Sequence, residues 1–356
     1  MAATGLWEGV DRLLERLDPK RIDDHGLGAL GARRFRVSGE PVPNGLAWEE
    51  RAARTAALVA PTLLARVRDA YEGPLLLIKG PTLARRYPDG ARRFGDLDLL
   101  PADPEAAQAS LLAAGFRLRK TDVPVQFYDL HDHHHLHPLE WPGLGLPVEV
   151  HRRVMWPRGL RPPTNAELFE AAVPAGIGVE GLLVPDPRHH ALLLAAHSWS
   201  EEPLRKVRDL VDVLAFADDE TRDELARLAR SWGFERAWSS TLAAADWLLR
   251  DAPEPRFVRV WARYLRSLRE PTVAEMHVRA WLSPFSMAPP AAAVRLLTTA
   301  VLRDLKPLPY ESWPAKLRRT AQAVLHPVSP RSLHDRRVGR GRRTMTGAGG
   351  TGSTSE

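Results

Sequence analysis

The chain has 356 residues, enough for a substantial hydrophobic core and more than one structural unit. It contains no cysteine, which excludes a disulfide framework, a thiolate metal site and a cysteine nucleophile. The net charge of +6 comes from 50 basic and 44 acidic residues. Six arginines lie in residues 331–356, so the rest of the chain has no overall nucleic-acid-binding charge.

The N-terminal region, residues 1–70, is predicted to be a helical segment. Helical periodicity covers residues 3–17 and 46–70, and the first of these stretches is typical of an amphipathic helix, not of a signal peptide. Apolar runs stay well short of the ~20 residues that a membrane span needs. We therefore expect a cytoplasmic protein that does not contact membranes.

Residues 71–185 have the pattern of a small α/β domain. The run GPLLLIKG predicts a buried central strand, and PTLARRYPDG predicts a short helix that begins at Pro81. RRFGDLDLLP predicts a second strand, and the helix after it has Asp103 at its N-cap. Three further strands are predicted in PVQFYDL, HDHHHLHPLEW and LPVEVHRRV.

Residues 186–330 are predicted to form a helical domain, with four capped helices up to residue 250 and Pro-rich joints beyond it. In the segment LRKVRDLVDVLAF, an apolar stripe predicts one buried face. The pairs Arg205–Asp209 and Arg208–Asp212 are expected on the exposed face. Residues 331–356, rich in glycine and basic, are predicted to be a disordered tail. The predicted fold class is α+β, a small mixed-sheet domain between N-terminal helices and a C-terminal helical bundle.

The segment RRFGDLDLLP places two carboxylates in an apolar run. Because side chains alternate along a strand, Asp96 and Asp98 are expected on one face, where like charges repel unless a proton or cation neutralises them. Glu149 stands in a similar alternation, so three carboxylates from neighbouring strands can converge. Mg²⁺ prefers such oxygen ligands together with substrate phosphates. An isolated Asp-x-Asp is equally compatible with a solvated strand end.

Together these motifs resemble a family of bacterial nucleotidyltransferases in the DNA polymerase β-like superfamily. The resemblance spans residues 74–156 and rests on Lys79-Gly80, the Asp96-x-Asp98 pair and the Glu149-x-His151 strand. It implies a nucleotidyltransferase domain that moves a nucleoside monophosphate from an NTP to an acceptor and releases pyrophosphate. The acceptor would be a small molecule, a peptide, a protein or an RNA. The alternative is a catalytically inactive nucleotide-binding or regulatory protein that keeps the fold.

The resemblance also implies roles for single residues. The metal, Mg²⁺ or alternatively Mn²⁺, would be bound by Asp96, Asp98 and Glu149, and Glu149 would activate the acceptor hydroxyl. The residues implied in nucleotide binding are Lys79, Gly80, Thr82, Arg93 and His151.

Pro81 departs from the superfamily pattern, because it removes a backbone N–H at the turn that approaches the triphosphate. Lys79 and Thr82 are therefore expected to supply the missing phosphate contact. The turn arginines Arg92 and Arg93 either contact triphosphate or are exposed.

The three carboxylates are expected to lie in a cleft that histidines and the helical domain complete. His131, His133, His135 and His137 are predicted on one strand face, where they line the cleft or, alternatively, bind zinc. A helical bundle across from the carboxylates would form the second wall of the pocket. His197 and Asp209 are the best candidates to border it.

Overall fold

The computed structural model describes residues 2–120, 133–201, 203–217, 221–256, 272–307 and 311–324. These residues form a mixed α+β structure, which confirms the predicted fold class. None of the helices in these ranges combines the length and apolar character that a membrane span requires.

Residues 2–70 are mainly helical, which confirms the helices predicted from the periodicity of residues 3–17 and 46–70. The helices are α1 (Ala2–Glu15), α2 (Pro19–Asp24), α3 (Gly28–Val37) and α4 (Asn44–Ala70). The Asp18 side chain caps α2 by accepting a hydrogen bond from the backbone N–H of Arg21. The apolar stripe of α4, which includes Leu63 and Leu64, is buried against the sheet.

A seven-stranded mixed sheet follows, in the order β3-β4-β5-β2-β1-β7-β6. The elements of this part of the chain are β1 (Leu75–Leu77), α5 (Pro81–Ala84), β2 (Leu97–Pro101), α6 (Pro104–Ala113), β3 (Arg117–Leu118), β4 (Leu139–Trp141), β5 (Leu144–Val150), α7 (Asn165–Glu170), β6 (Val173–Pro174) and β7 (Leu183–Val184). The central strands β1 and β2 are antiparallel, whereas β2 and β5 are parallel. The predicted N-cap of α6 is confirmed, since the Asp103 side chain accepts a hydrogen bond from Ala106.

The C-terminal part is helical, as predicted. Its helices are α8 (Pro187–Glu201), α9 (Val207–Leu214), α10 (Arg222–Ser231), α11 (Glu235–Leu249), α12 (Val273–Leu282), α13 (Pro284–Met287), α14 (Pro290–Leu305) and α15 (Trp313–Val324). The predicted tail lies outside the described residues. The domain boundaries at residues 70, 185 and 330 stay predictions.

The two faces of the sheet have separate hydrophobic cores. Leu97 and Leu99 of β2 and Val148 of β5 pack with α4 and α6. Because side chains alternate along a strand, Leu100 faces the other way, into the core formed by α1 and the helices α8 to α11. The same alternation places Asp98 on the face that these C-terminal helices cover. The sheet therefore buries its carboxylates beneath helices that are distant in sequence.

The sequence predicts an exposed position for Asp212, and this prediction is wrong. Asp212 is buried on α9 and forms a two-point ion pair with Arg92, at 2.8 Å from Nε to Oδ1 and 2.7 Å from Nη2 to Oδ2. The buried Tyr87 hydroxyl also donates to Asp212. A carboxylate tolerates burial when a cation and hydrogen bonds compensate it, and the loop before β2 supplies both. Arg92 is therefore neither an exposed turn arginine nor a free phosphate contact.

The sequence also predicts a regular strand that contains the clustered histidines, and within the described residues this prediction is wrong. Residues 133–138 are irregular apart from a bridge between His135 and His151, and β4 begins only at Leu139. His133 and His135 bond through Nδ1 to nearby backbone carbonyls, at 2.9 and 2.6 Å, and Pro138 has no N–H for a strand ladder. Residues 121–132, which include PVQFYDL and His131, lie outside the described residues.

Candidate active site

Two parallel strands place a pair of carboxylates side by side. Asp98 of β2 is in register with Glu149 of β5, and the flanking pairs are Leu97 with Val148 and Leu99 with Val150. The flanking residues are buried in the core beneath α4. Because alternation is strict along both strands, Asp98 and Glu149 point away from that core, toward the same side.

His151 follows β5 and completes a cluster of three potential ligands. Its backbone N–H donates to the carbonyl of Leu99 at 2.7 Å, which holds the residue beside β2. Its Nε2 lies 2.9 Å from Oδ1 of Asp98 and 3.8 Å from Oε2 of Glu149. One potential ligand atom from each of Asp98, Glu149 and His151 lies within 4.8 Å of the other two. This spacing suits a single metal ion.

Asp96 lies near this cluster without belonging to it. β2 begins at Leu97, so Asp96 stands in the bend before the strand and not on the same strand as Asp98. Burial and the neighbouring Asp98 charge raise the pKa of Asp96 to about 6. The aspartates are thus close enough to interact, and Asp96 as a metal ligand stays a prediction.

The site holds more negative charge than its own cations neutralise. Burial, followed by the charges of Asp96 and Asp98, raises the pKa of Glu149 to about 8. Burial would also raise the pKa of Asp98, but the Lys79 cation and the His151 hydrogen bond hold it well below its usual value. Near neutral pH Asp98 is thus ionised while Glu149 retains its proton, the pattern expected when like charges share a buried site.

The turn after β1 lies against the two aspartates. The backbone N–H of Ile78 donates to the carbonyl of Asp98 at 2.9 Å, which anchors the turn at that point. Gly80 has a φ of +81°, and a Cβ there would contact the Asp96 carbonyl at 3.4 Å. This left-handed conformation favours glycine. The Oγ1 of Thr82, at the start of α5, is buried and has no hydrogen-bond partner in the described structure.

The Arg93 side chain contacts α4. Its Nη1 lies 2.7 Å from Oε1 of Glu49, and its guanidinium lies over the Trp48 ring at 4.5 Å. Nucleotide binding by Arg93 stays a prediction, and it would require this ion pair to open or to be shared.

Helix α8 lies across the carboxylate side of the sheet. The buried His190 ring hydrogen-bonds to the backbone of Ile78, at the end of β1. Two turns later, burial and the Lys79 charge lower the pKa of His197 well below its usual value, whereas Asp98 raises it. His197 thus lies in electrostatic range of the site, on the side that the sequence predicts. Asp209 contacts Arg208 at 3.5 Å, and its place at the pocket stays a prediction.

Two roles at the site go beyond the sequence prediction. The sequence predicts that His151 contacts phosphate, orients a carboxylate or forms a structural hydrogen bond, yet it lies among the potential metal ligands. Its alternation with Glu149 is the signal that indicates this. Arg208 of α9 lowers the pKa of Asp96 by its charge. No sequence motif indicates a role for Arg208 at the site, because its i,i+4 spacing from Asp212 predicts a surface ion pair instead.

Comparison with known proteins identifies one family. A family model described as "Uncharacterised nucleotidyltransferase" matches residues 20–250, well over half of the chain. The match runs from α2 to α11 and includes the sheet, the turn after β1 and the carboxylates. No curated protein and no solved structure matches the chain significantly.

Proposed function

We propose, since the chain belongs to this family of uncharacterised nucleotidyltransferases, that it uses a divalent cation to transfer a nucleoside monophosphate from an NTP to an acceptor. Pyrophosphate is the second product. The observation that supports the proposal most strongly is the register of β2 and β5, which aligns Asp98 with Glu149 next to the turn after β1. The acceptor is a small molecule, a peptide, a protein or an RNA.

The donor set fits a divalent cation. Asp98 and Glu149 offer carboxylate oxygens from neighbouring strands, and Asp96 lies close enough for its charge to interact with Asp98. Mg²⁺ is the proposed ion and Mn²⁺ the alternative, since both bind carboxylate oxygens together with phosphates. When bound, the cation neutralises charge on the phosphates and orients them for in-line displacement.

The turn after β1 is the proposed phosphate site. Gly80 has no side chain to keep phosphate oxygens away from the backbone, and Lys79 supplies a positive charge there. The Thr82 hydroxyl is a donor without a protein acceptor in the described structure, so it is available to a phosphate oxygen. These three residues bind and orient the triphosphate, and they leave the α-phosphorus facing the carboxylates.

Glu149 is the proposed base. The acceptor hydroxyl oxygen bonds to the α-phosphorus, and the bond from that phosphorus to the bridging oxygen of the β-phosphate breaks. The acceptor proton passes to a carboxylate oxygen of Glu149, and pyrophosphate leaves with the electron pair of the broken bond. A base must be ionised before it accepts a proton, and the positive charge of a bound cation lowers the raised pKa of Glu149 toward that state.

Nucleotide binding and label transfer test this function. Calorimetry of each NTP with Mg²⁺ or Mn²⁺ should show binding that EDTA abolishes, and α-³²P-NTP should label one fraction of a small-molecule, RNA or protein extract. Asp98→Asn should lose the labelling, whereas Asp223→Asn, an exposed aspartate on α10, should keep it. Metal-dependent binding without labelling of any fraction would favour the inactive, regulatory alternative. Failure to bind any NTP would contradict both.

A further inference from the structure

The distances around His151 suit a ligand of the same ion. For metal–ligand bonds of about 2.1 Å in octahedral geometry, neighbouring ligand atoms are about 3.0 Å apart and opposite ones about 4.2 Å. Nε2 of His151 lies 2.9 Å from Oδ1 of Asp98 and 3.8 Å from Oε2 of Glu149. The first distance is close to that of neighbouring ligands, and the second lies between the two values. The imidazole therefore needs little movement to share an ion with both carboxylates.

The position of His151 is set by the backbone and by burial. Its N–H is bound to Leu99, its backbone pairs with His135, and its side chain is about 6% exposed. A side chain held in this way loses little conformational entropy when it binds a metal. These constraints are typical of a preformed metal ligand and not of a flexible side chain that contacts phosphate.

Without metal, a proton occupies the position between His151 and Asp98. Nε2 donates it to Oδ1 of Asp98, which leaves the buried Nδ1 without a hydrogen-bond partner in the described structure. A cation held by both residues would replace this hydrogen bond, with the Nε2 lone pair directed at the ion and the ring proton carried on Nδ1 instead of Nε2.

We infer that His151 is a nitrogen ligand at this site and that the site, for which Mg²⁺ is proposed above, therefore binds a divalent transition-metal ion more tightly than Mg²⁺. The inference rests on the metal-dependent function proposed above. Imidazole nitrogen suits first-row transition ions, whereas Mg²⁺ binds oxygen ligands and retains its water. The other potential role is purely positional, with His151 orienting Asp98 through a hydrogen bond while the metal binds oxygen alone.

Pulsed electron paramagnetic resonance of Mn²⁺ separates these roles without nucleotide or turnover. Mn²⁺ bound to the wild-type protein should show modulation from a directly coordinated ¹⁴N nucleus, and His151→Gln should lose it. His135→Gln tests the neighbouring imidazole, and His189→Gln on α8, packed against Trp232, is a remote control. Both of these variants should retain the modulation. Loss of the modulation in His135→Gln but not in His151→Gln would overturn the inference.

Competition between ions gives a second measurement. His151→Gln should lower the affinity for Mn²⁺ by a larger factor than the affinity for Mg²⁺, because Mg²⁺ prefers oxygen ligands and gains least from the imidazole. An equal loss for both ions would assign His151 a positional role and overturn the inference. If His151→Gln does not fold, the wild type still decides, since bound Mn²⁺ without nitrogen modulation contradicts the inference.

The outcomes for the inference and for the proposed function are separable. Bound Mn²⁺ without nitrogen coupling refutes the role of His151 and leaves metal-dependent transfer intact. Nitrogen coupling in a protein that binds no NTP supports the metal site and contradicts the transferase.

Discussion

Two buried acidic clusters lie on the side of the sheet that the C-terminal helices cover, and their charge balance differs. Asp212 is fully compensated by Arg92 and Tyr87, and the Arg92 charge outweighs burial and keeps the Asp212 pKa below its usual value. Asp98 and Glu149 lie side by side in register on neighbouring strands, and the pKa of Glu149 is raised to about 8. A compensated buried carboxylate is tolerated as long as its partners remain, whereas an uncompensated one stores repulsion that a ligand can relieve.

The strongest contrast is expected between Asp98→Asn and Asp212→Asn. Asp98→Asn should reduce nucleotidyl transfer to the background rate while the protein stays folded, because it removes a metal ligand and one of several repelling charges. Asp212→Asn should lower the melting temperature, because Arg92 is left buried without a counter-charge. Transfer assays and thermal melts of both variants check this. A folded and active Asp98→Asn protein would show that the Asp98 cluster has no catalytic role that distinguishes it from the Asp212 cluster.

Arg92→Ala should have the largest effect on stability. It leaves Asp212 buried and ionised beside Tyr87, and breaking a buried pair in this way costs roughly 3–5 kcal/mol. Chemical denaturation measures the loss, and Arg227→Ala on the exposed side of α10 is a charge-matched control. If Arg92→Ala and Arg227→Ala unfold at the same denaturant concentration, the buried pair does not stabilise the fold.

Lys79→Ala should weaken NTP binding by about 1.5–3 kcal/mol, the value of a lost charge-assisted contact. The loss should be greater at low salt than at high salt, since screening already weakens the wild-type contact. Isothermal titration at two salt concentrations measures it. An unchanged dissociation constant at low salt would assign the turn a structural role only.

Glu149→Gln should make the metal-free protein more stable at high pH. The folded-state pKa of Glu149, about 8, exceeds its usual 4.5, so between these values the folded state holds a proton that the unfolded state has lost. Wild-type stability therefore falls as pH rises through this window. The variant should avoid this fall and gain on the order of 1–3 kcal/mol at pH 9, with no gain at pH 4.5.

Denaturation in EDTA at both pH values tests the Glu149 prediction. Added Mn²⁺ should stabilise the wild type more than Glu149→Gln, because the ion relieves the repulsion that the variant has already removed. A variant that is less stable than the wild type at pH 9 in EDTA would show that Glu149 is compensated in the folded protein.

Much of the fold follows from local patterns. The Asp103 N-cap, the apolar run before Lys79 and the stripe of α4 are each explained by neighbours a few residues away, and the corresponding elements form as predicted. The alternation around Glu149 likewise indicates which residues share a face. Local patterns fail at residues 133–138, which form an isolated bridge to His151 in place of the expected strand.

The sequence by itself determined the main helices and the central strands, the family resemblance and the carboxylates of the candidate site. Only the tertiary structure decided their partners. Asp98 and Glu149 meet through a strand register between distant segments, and Asp212 is buried because Arg92, 120 residues earlier, compensates it. Asp96 falls outside β2, and His151 takes its place among the potential metal ligands. The reason is physical: periodicity reports which face a side chain occupies, whereas its charge environment depends on what folds against that face.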